Sequence, residues 1–268
     1  MPLPRYWAEM TWTDFRDADM EEVIAILPVA AIEQHGPHLP TGVDAMIMEG
    51  YMRRVLARAP PALPILALPM QSVGASSEHA DFPGTLSLSV ETAARAWVEI
   101  GDGVARAGCR KLVIINSHGG NGPVIDGVAR TLRQRHGMLV VVASWSRFGY
   151  PDGLFGPAER LHGIHAGDIE TSLMLAFEPQ LVRGGELRDF EPTSVAMERD
   201  FTWLRAGRPA GFGWMAQDLS ASGAMGNATA ATCEKGEACA DYGATAFVEL
   251  LQDVEAFDLE RLAKGPLG

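Results

Sequence analysis

The segment AIEQHGPHLPTGVD, residues 31–44, closes an apolar run and carries four possible metal ligands, Glu33, His35, His38 and Asp44, within a dozen positions. Carboxylates and imidazoles without thiolates form a donor set suited to zinc, manganese or iron(II). In an extended segment alternate residues point the same way, so Glu33 and His35 are expected to project together from the end of a strand. Gly36, Pro37 and Pro40 force a turn, which brings Asp44 back toward the same crevice at the start of a helix. At that position Asp44 is equally suited to accept a backbone N–H as a helix cap. A second apolar run ends in IINSHGGNGP and sets His118 just beyond it. Two metal ions sharing one Asp would lower the pKa of a bridging water and polarise a carbonyl together.

A third cluster, HGIHAGDIETS, holds His162, His165, Asp168 and Glu170. Acidic residues in a first helical turn often serve only the helix dipole, a reading that fits Asp168 better than Glu170. A histidine beside a metal pair can carry protons between water and a leaving nitrogen. The glycines after His118 allow close backbone approach and offer N–H groups at a helix start, Gly119 among them. A phosphate cradle is disfavoured, because neither the GxGxxG spacing nor a GK[ST] ending is present. An esterase is disfavoured too, since no GxSxG elbow supplies a nucleophile.

Strands must bring these residues to one place. EVIAILPVAA, KLVIINSH and LVVVASW read as buried strands, and ALPILALPM as a further one interrupted by Pro64 and suited to a sheet edge. Helical periods separate them: AMIMEGYMRRVLARA, VETAARAWVEIGDGVARAG and PVIDGVARTLRQRHG, with IETSLMLAF and a long amphipathic tail further on. Apolar strands alternating with helices indicate a parallel sheet covered on both faces, a three-layer α/β/α sandwich. Residues 183–233 are loop-rich and carry no clear pattern. One domain is expected over 1–268, without repeats or linkers.

Composition bounds the function. A formal net charge of −12 and the lack of a basic stripe argue against nucleic acid or an anionic membrane as partner. No apolar run approaches the roughly 20 residues of a membrane span. The amino terminus lacks a signal-peptide layout, and three scattered cysteines form no disulfide framework, so a cytoplasmic location and a small-molecule partner are expected.

Taken together, EQHGPHLPTGVDA, SSEHADFPGTLS, NSHGGN, HAGDIETS and GNATAATCEKGE resemble, in order, the motifs of the creatininase (creatinine amidohydrolase) family. The resemblance implies an α/β/α fold, hydrolysis of C–N bonds in cyclic or linear amides, and two divalent metal ions. It implies Glu33, His35, Asp44 and His118 as metal ligands, with Asp44 bridging, and His165 as proton shuttle. Glu170 matches the acidic residue five positions further on. Creatininase proper has a Tyr-Glu pair after the strand-end histidine, and that Glu binds metal; here Gly119 and Gly120 stand there, which leaves Glu170 as the candidate replacement. Ser76, Ser77, Glu78 and His79 sit on the loop that resembles the family's substrate-contacting segment, and Ser77, Glu78, His79 and Gly119 are the substrate-binding candidates. Creatininase places a Trp shortly before its shuttle histidine, whereas the segment before His165 here, PAERLHGI, has none, so creatinine itself is disfavoured as substrate. Relatives form hexamers or other homo-oligomers, and FTWLRAGRPAGFGWM could serve an interface, a lid or an internal loop. Two other readings use the same donors: hydrolysis of lactones or phosphoesters, and a metal-binding maturation or scaffold protein with little catalysis.

Overall fold

Four stretches rich in Ile, Leu and Val form a parallel sheet. Three of them are buried at every position, as strands covered on both faces are, and the edge strand Leu139–Ser144 is half-buried at five of its six. The computed structural model describes residues 4–263 and 265. Its elements run α1 (Trp12–Asp17), β1 (Ile24–Val29), α2 (Val43–Arg58), β2 (Ile65–Ala67), α3 (Val90–Arg106), β3 (Lys111–Asn116), α4 (Gly122–His136) and β4 (Leu139–Ser144). There follow α5 (Pro157–His162), α6 (Asp168–Phe177), β5 (Asp189–Phe190), α7 (Thr193–Asp200), α8 (Ala216–Leu219), β6 (Gly226–Asn227) and α9 (Cys233–Ala256). The sheet order is β2-β1-β3-β4, with β5 and β6 pairing separately. As Pro64 predicts, β2 is a short edge strand.

Side chains alternate between two cores. Ile24, Ile26, Val113 and Ile115 face α2, α6 and α9, while Ala25, Leu27, Leu112 and Ile114 face α3 and α4. The result is the expected three layers. Helix ends follow local chemistry: Ser89 caps α3 by accepting the Thr92 N–H, and Gly137 closes α4 in the left-handed region at φ 67°. The chain leaves β1 on one face and reaches β3 by way of the other, so β1 and β3 flank the switch point where open sheets hold ligands.

Helix α6 lies close against α9. A Cβ on Gly236 would overlap the Ser172 carbonyl oxygen and lie 2.8 Å from Ala176 Cβ. Backbone cannot yield as a flexible side chain does, so Gly236→Ala must push the helices apart. Such overpacking costs typically 1–3 kcal/mol or more, at about 2–4 °C of Tm per kcal/mol in a domain of this size. Thermal unfolding checks it: an unchanged Tm would refute the close approach. No described helix is long and apolar enough to cross a membrane.

Candidate metal centre

The carboxyl ends of β1 and β3 open onto one crevice. Glu33 and His35 follow β1, His118 follows β3, and Asp44 lies in the first turn of α2. Gly42 holds the cap position of that helix, so Asp44 is not its cap. Glu78 and His79 come from a 3-10 turn, Ser77–His79, between β2 and α3. His165 stands in the loop before α6, bridged to Met225, and Glu170 is in the first turn of α6. Glu33, His35, Asp44, His79, His118 and His165 are all at most 5% exposed. A cavity of about 280 Å³ opens over them, lined also by Glu78, Gly119, Gly120, Ile164, Glu170 and Trp214.

Asp44 faces two histidines, and the donor atoms can be read as two tripods that share it, although by distance Glu33 also groups with His35 and Asp44, and with Glu78 and His118. On one side His118 Nδ1 is 3.2 Å from Glu33 Oε1 and 3.6 Å from Asp44 Oδ2. On the other, His35 Nε2 is 3.9 Å from both Asp44 Oδ1 and Glu170 Oε2. Ligands about 2.1 Å from a zinc-class ion in tetrahedral geometry lie roughly 3.4 Å apart, close to these separations. Among the described residues neither His35 Nε2 nor Asp44 Oδ2 finds a hydrogen-bond partner, although both are buried. Buried polar atoms are ordinarily satisfied. The donor set and its orphaned atoms therefore fit divalent metal.

Backbone carbonyls decide which nitrogen of each of three buried histidines is free. A carbonyl oxygen only accepts, so the ring nitrogen facing it carries the proton. His35 donates from Nδ1 to Glu33 O at 3.0 Å, which leaves Nε2 as a lone pair toward Asp44 and Glu170. His118 donates from Nε2 to Ala75 O at 3.0 Å, which leaves Nδ1 toward Glu33 and Asp44. His165 donates from Nε2 to Gln34 O at 2.6 Å, and its free Nδ1 lies 3.6 Å from Glu33 Oε1. Such partners fix ring orientation and ligand basicity in metal sites.

The glycine pair after His118 has a steric role. A Cβ on Gly120 would overlap Glu78 Oε1 and lie 2.5 Å from His118 Nε2. The space is taken by the Glu78 carboxylate, 3.4 Å from that nitrogen on the side of the ring away from Asp44. Glu78 thus backs His118 from behind.

Electrostatics are dominated by crowding. Burial would raise Glu33, but the His118 imidazole, then His165 and His35, hold it below the usual carboxylate range. Burial would lower His118, yet Glu33, Glu78 and Asp44 lift it well above an ordinary imidazole. Asp44 is pushed well up by burial and then by Glu33, and Glu170 is raised chiefly by burial. Burial, followed by neighbouring His165, drives His35 well down and His79 down to about 4.

Other sequence candidates fall elsewhere. Ser77, expected to contact substrate, is exposed and does not line the cavity. Its neighbour Ser76 is buried instead and donates to Glu33 Oε2. Asp168 pairs with Lys235 and Ser172, and His162 with Ser194 and Glu198, both outside the crevice. Trp145 packs in the core on Tyr51. The sequence missed Trp214, which reaches the cavity from the end of the aromatic loop while Trp203 on the same loop is 71% exposed. His38, one of the possible ligands of the opening segment, instead donates from Nε2 to Ala166 O and supports the left-handed turn of Ala166 at φ 57° beside His165. The Ala166 N–H in turn holds Glu170 Oε2 at 2.5 Å. The EQH and GPH spacings carried the signal for buried Gln34 and His38; nothing local marked Trp214.

Comparison with known proteins places this geometry. A family model described as Creatininase, creatinine amidohydrolase, matches residues 8–251. The creatinine amidohydrolase of Pseudomonas putida is 30% identical over 250 residues, covering 85% of this chain and 89% of its own. The mycofactocin precursor peptide peptidase of Mycolicibacterium smegmatis is 31% identical over 218 residues, covering 80% of this chain and 78% of its own. A solved mutant creatininase of Zn–Zn type superposes with a TM-score of 0.76 at 25% identity, over 94% of this chain and 98% of that one.

Proposed function

The chain belongs to the creatininase family, and from that premise we propose that it is a metal-dependent amidohydrolase acting on the non-peptide C–N bond of a small cyclic or linear amide. The observation that carries this reading is the pair of tripods sharing Asp44, with buried donor atoms left unpaired. Glu33, Asp44 and His118 would hold one ion, and His35, Asp44 and Glu170 the other. Bound there, two zinc, manganese or iron(II) ions would activate a water and polarise the carbonyl.

The chain's own residues then manage protons and position. His165 Nδ1 accepts the proton released as the water oxygen bonds to the carbonyl carbon. The C–N bond breaks as the same proton passes to the departing nitrogen, which leaves a carboxylate and an amine. Gly119 and Glu78 line the approach, and Trp214 and Ile164 supply an apolar wall. A cavity of about 280 Å³ suits a small molecule. The whole chain acts as one catalytic unit in this reading.

A second reading takes the end of a peptide as substrate, and it is favoured by the 31% identical relative named a peptide peptidase. One experiment separates them: metal-loaded protein, with the metal per chain counted, is offered small cyclic and linear amides, short peptides, lactones and phosphoesters. About two ions per chain and turnover of small amides are expected. Turnover confined to peptides selects the second reading; turnover confined to esters or phosphates, or none, overturns both.

A further inference from the structure

Five buried histidines crowd the crevice, and His79 differs from the three whose free nitrogens face the tripods. Its Nδ1 lies 2.7 Å from Gln34 Nε2. Which end of the Gln34 amide is nitrogen is settled by two backbone groups of opposite kind. Gly36 N–H donates to Gln34 Oε1 at 2.9 Å, and Gln34 Nε2 donates to Gly223 O at 3.0 Å. The second amide hydrogen therefore points at His79 Nδ1, which must accept it. The proton of a neutral His79 then resides on Nε2. That N–H lies 3.6 Å from Glu33 Oε1, too far for a hydrogen bond, on a ring that lines the cavity.

Proximity alone groups His79 with Glu33 and His165 as a possible metal triad. The tautomer argues otherwise. To bind metal through Nε2, the ring would have to carry its proton on Nδ1, and two donors would then face each other at 2.7 Å. The same residue sets the opposite state next door, since the Gln34 carbonyl accepts from His165 Nε2 and frees its Nδ1. The rings of His79 and His165 are 4.3 Å apart and present a donor and an acceptor to one cavity.

We propose that Gln34 is a positioning residue that assigns opposite tautomers to His79 and His165, and that His79 is a neutral hydrogen-bond donor to the substrate's carbonyl oxygen rather than a metal ligand. The proposal rests on the amide-hydrolysis reading of this site. As water adds to the carbonyl, the C=O electron pair moves onto oxygen, and a preset N–H facing that atom stabilises the charge without reorganising. The acceptor on the other side, His165 Nδ1, takes the proton. A neutral donor suits this task, because it stabilises the oxyanion without giving up its own proton.

The test reads the tautomer directly. In zinc-loaded protein labelled with ¹⁵N-histidine, two-bond ¹H–¹⁵N spectra are expected to give His79 the Nε2–H pattern with no zinc-shifted nitrogen. An Nδ1–H pattern, or a zinc-shifted Nε2, overturns the proposal. Gln34→Glu keeps the shape but can only accept, so it is expected to move the His79 proton to Nδ1 and lower kcat by about 10²–10³-fold, the usual loss for an oxyanion donor. KM and the metal count should change little; an unchanged tautomer and kcat would refute the role of Gln34. If that variant fails to fold, His79→Ala and His79→Gln replace it. The Gln amide still offers an N–H, so His79→Gln should recover much of the kcat lost in His79→Ala, and equal losses would count against the donor role. The spectra need no substrate. A wrong tautomer therefore sinks this proposal whatever is hydrolysed, whereas amides left intact by the wild type sink the amide reading alone.

Discussion

Asp44→Asn is expected to remove both metal ions at once and to lower kcat/KM by at least about 10⁴-fold, roughly 5.4 kcal/mol of transition-state stabilisation. The reason is geometric. Asp44 Oδ2 faces His118 and Asp44 Oδ1 faces His35, so one carboxylate belongs to both tripods. Asparagine keeps the shape and removes the charge, and its NH2 end turns one acceptor into a donor. Whichever way the amide lies, one position loses an oxygen and the other loses a full negative charge. His35→Ala makes the contrast, since it removes the only nitrogen of the second tripod and spares the first. Elemental analysis of both variants after metal loading decides the matter: none for Asp44→Asn and about one for His35→Ala are expected. Two ions and full turnover in Asp44→Asn would end the shared-carboxylate account.

His165→Ala separates chemistry from binding. We expect it to retain both ions while kcat falls by about 10²–10⁴-fold, the range that general acid–base catalysis contributes. His165 Nδ1 is within reach of Glu33 and groups by distance with His35 and Glu170 as well, so proximity does not distinguish shuttle from ligand. The metal count does. Loss of an ion in His165→Ala would make His165 a ligand, and unaltered turnover would remove it from the mechanism.

Much of this was legible in the sequence because the governing patterns are local. Strands β1 and β3 are apolar at nearly every position, and residues placed just past their ends could be assigned to the crevice before any coordinates. The fate of Pro64 at a sheet edge followed from its missing N–H. Which serine of the pair faces inward was not legible: Ser76, just before the 3-10 turn, is buried while Ser77, its first residue, is exposed, and only register decides between them. Trp214 was out of reach because a loop of some dozen residues without periodicity carries it, and only tertiary packing fixes where it ends. The Gly119–Gly120 pair was legible as a departure from the family pattern but not as a solution. Only the fold reveals that a carboxylate from a different loop fills the space.

The tautomers of His35, His118 and His165 are each set by a main-chain oxygen, of Glu33, Ala75 and Gln34. This has a consequence for how such a protein diversifies. A carbonyl persists whatever side chain its residue bears, so most substitutions around the centre leave these donors in register as long as the backbone holds. Selection is then free to rework the walls, Ile164, Trp214 and the 3-10 turn, one residue at a time. Substitutions in those walls are expected to leave the orientations of the three rings unchanged.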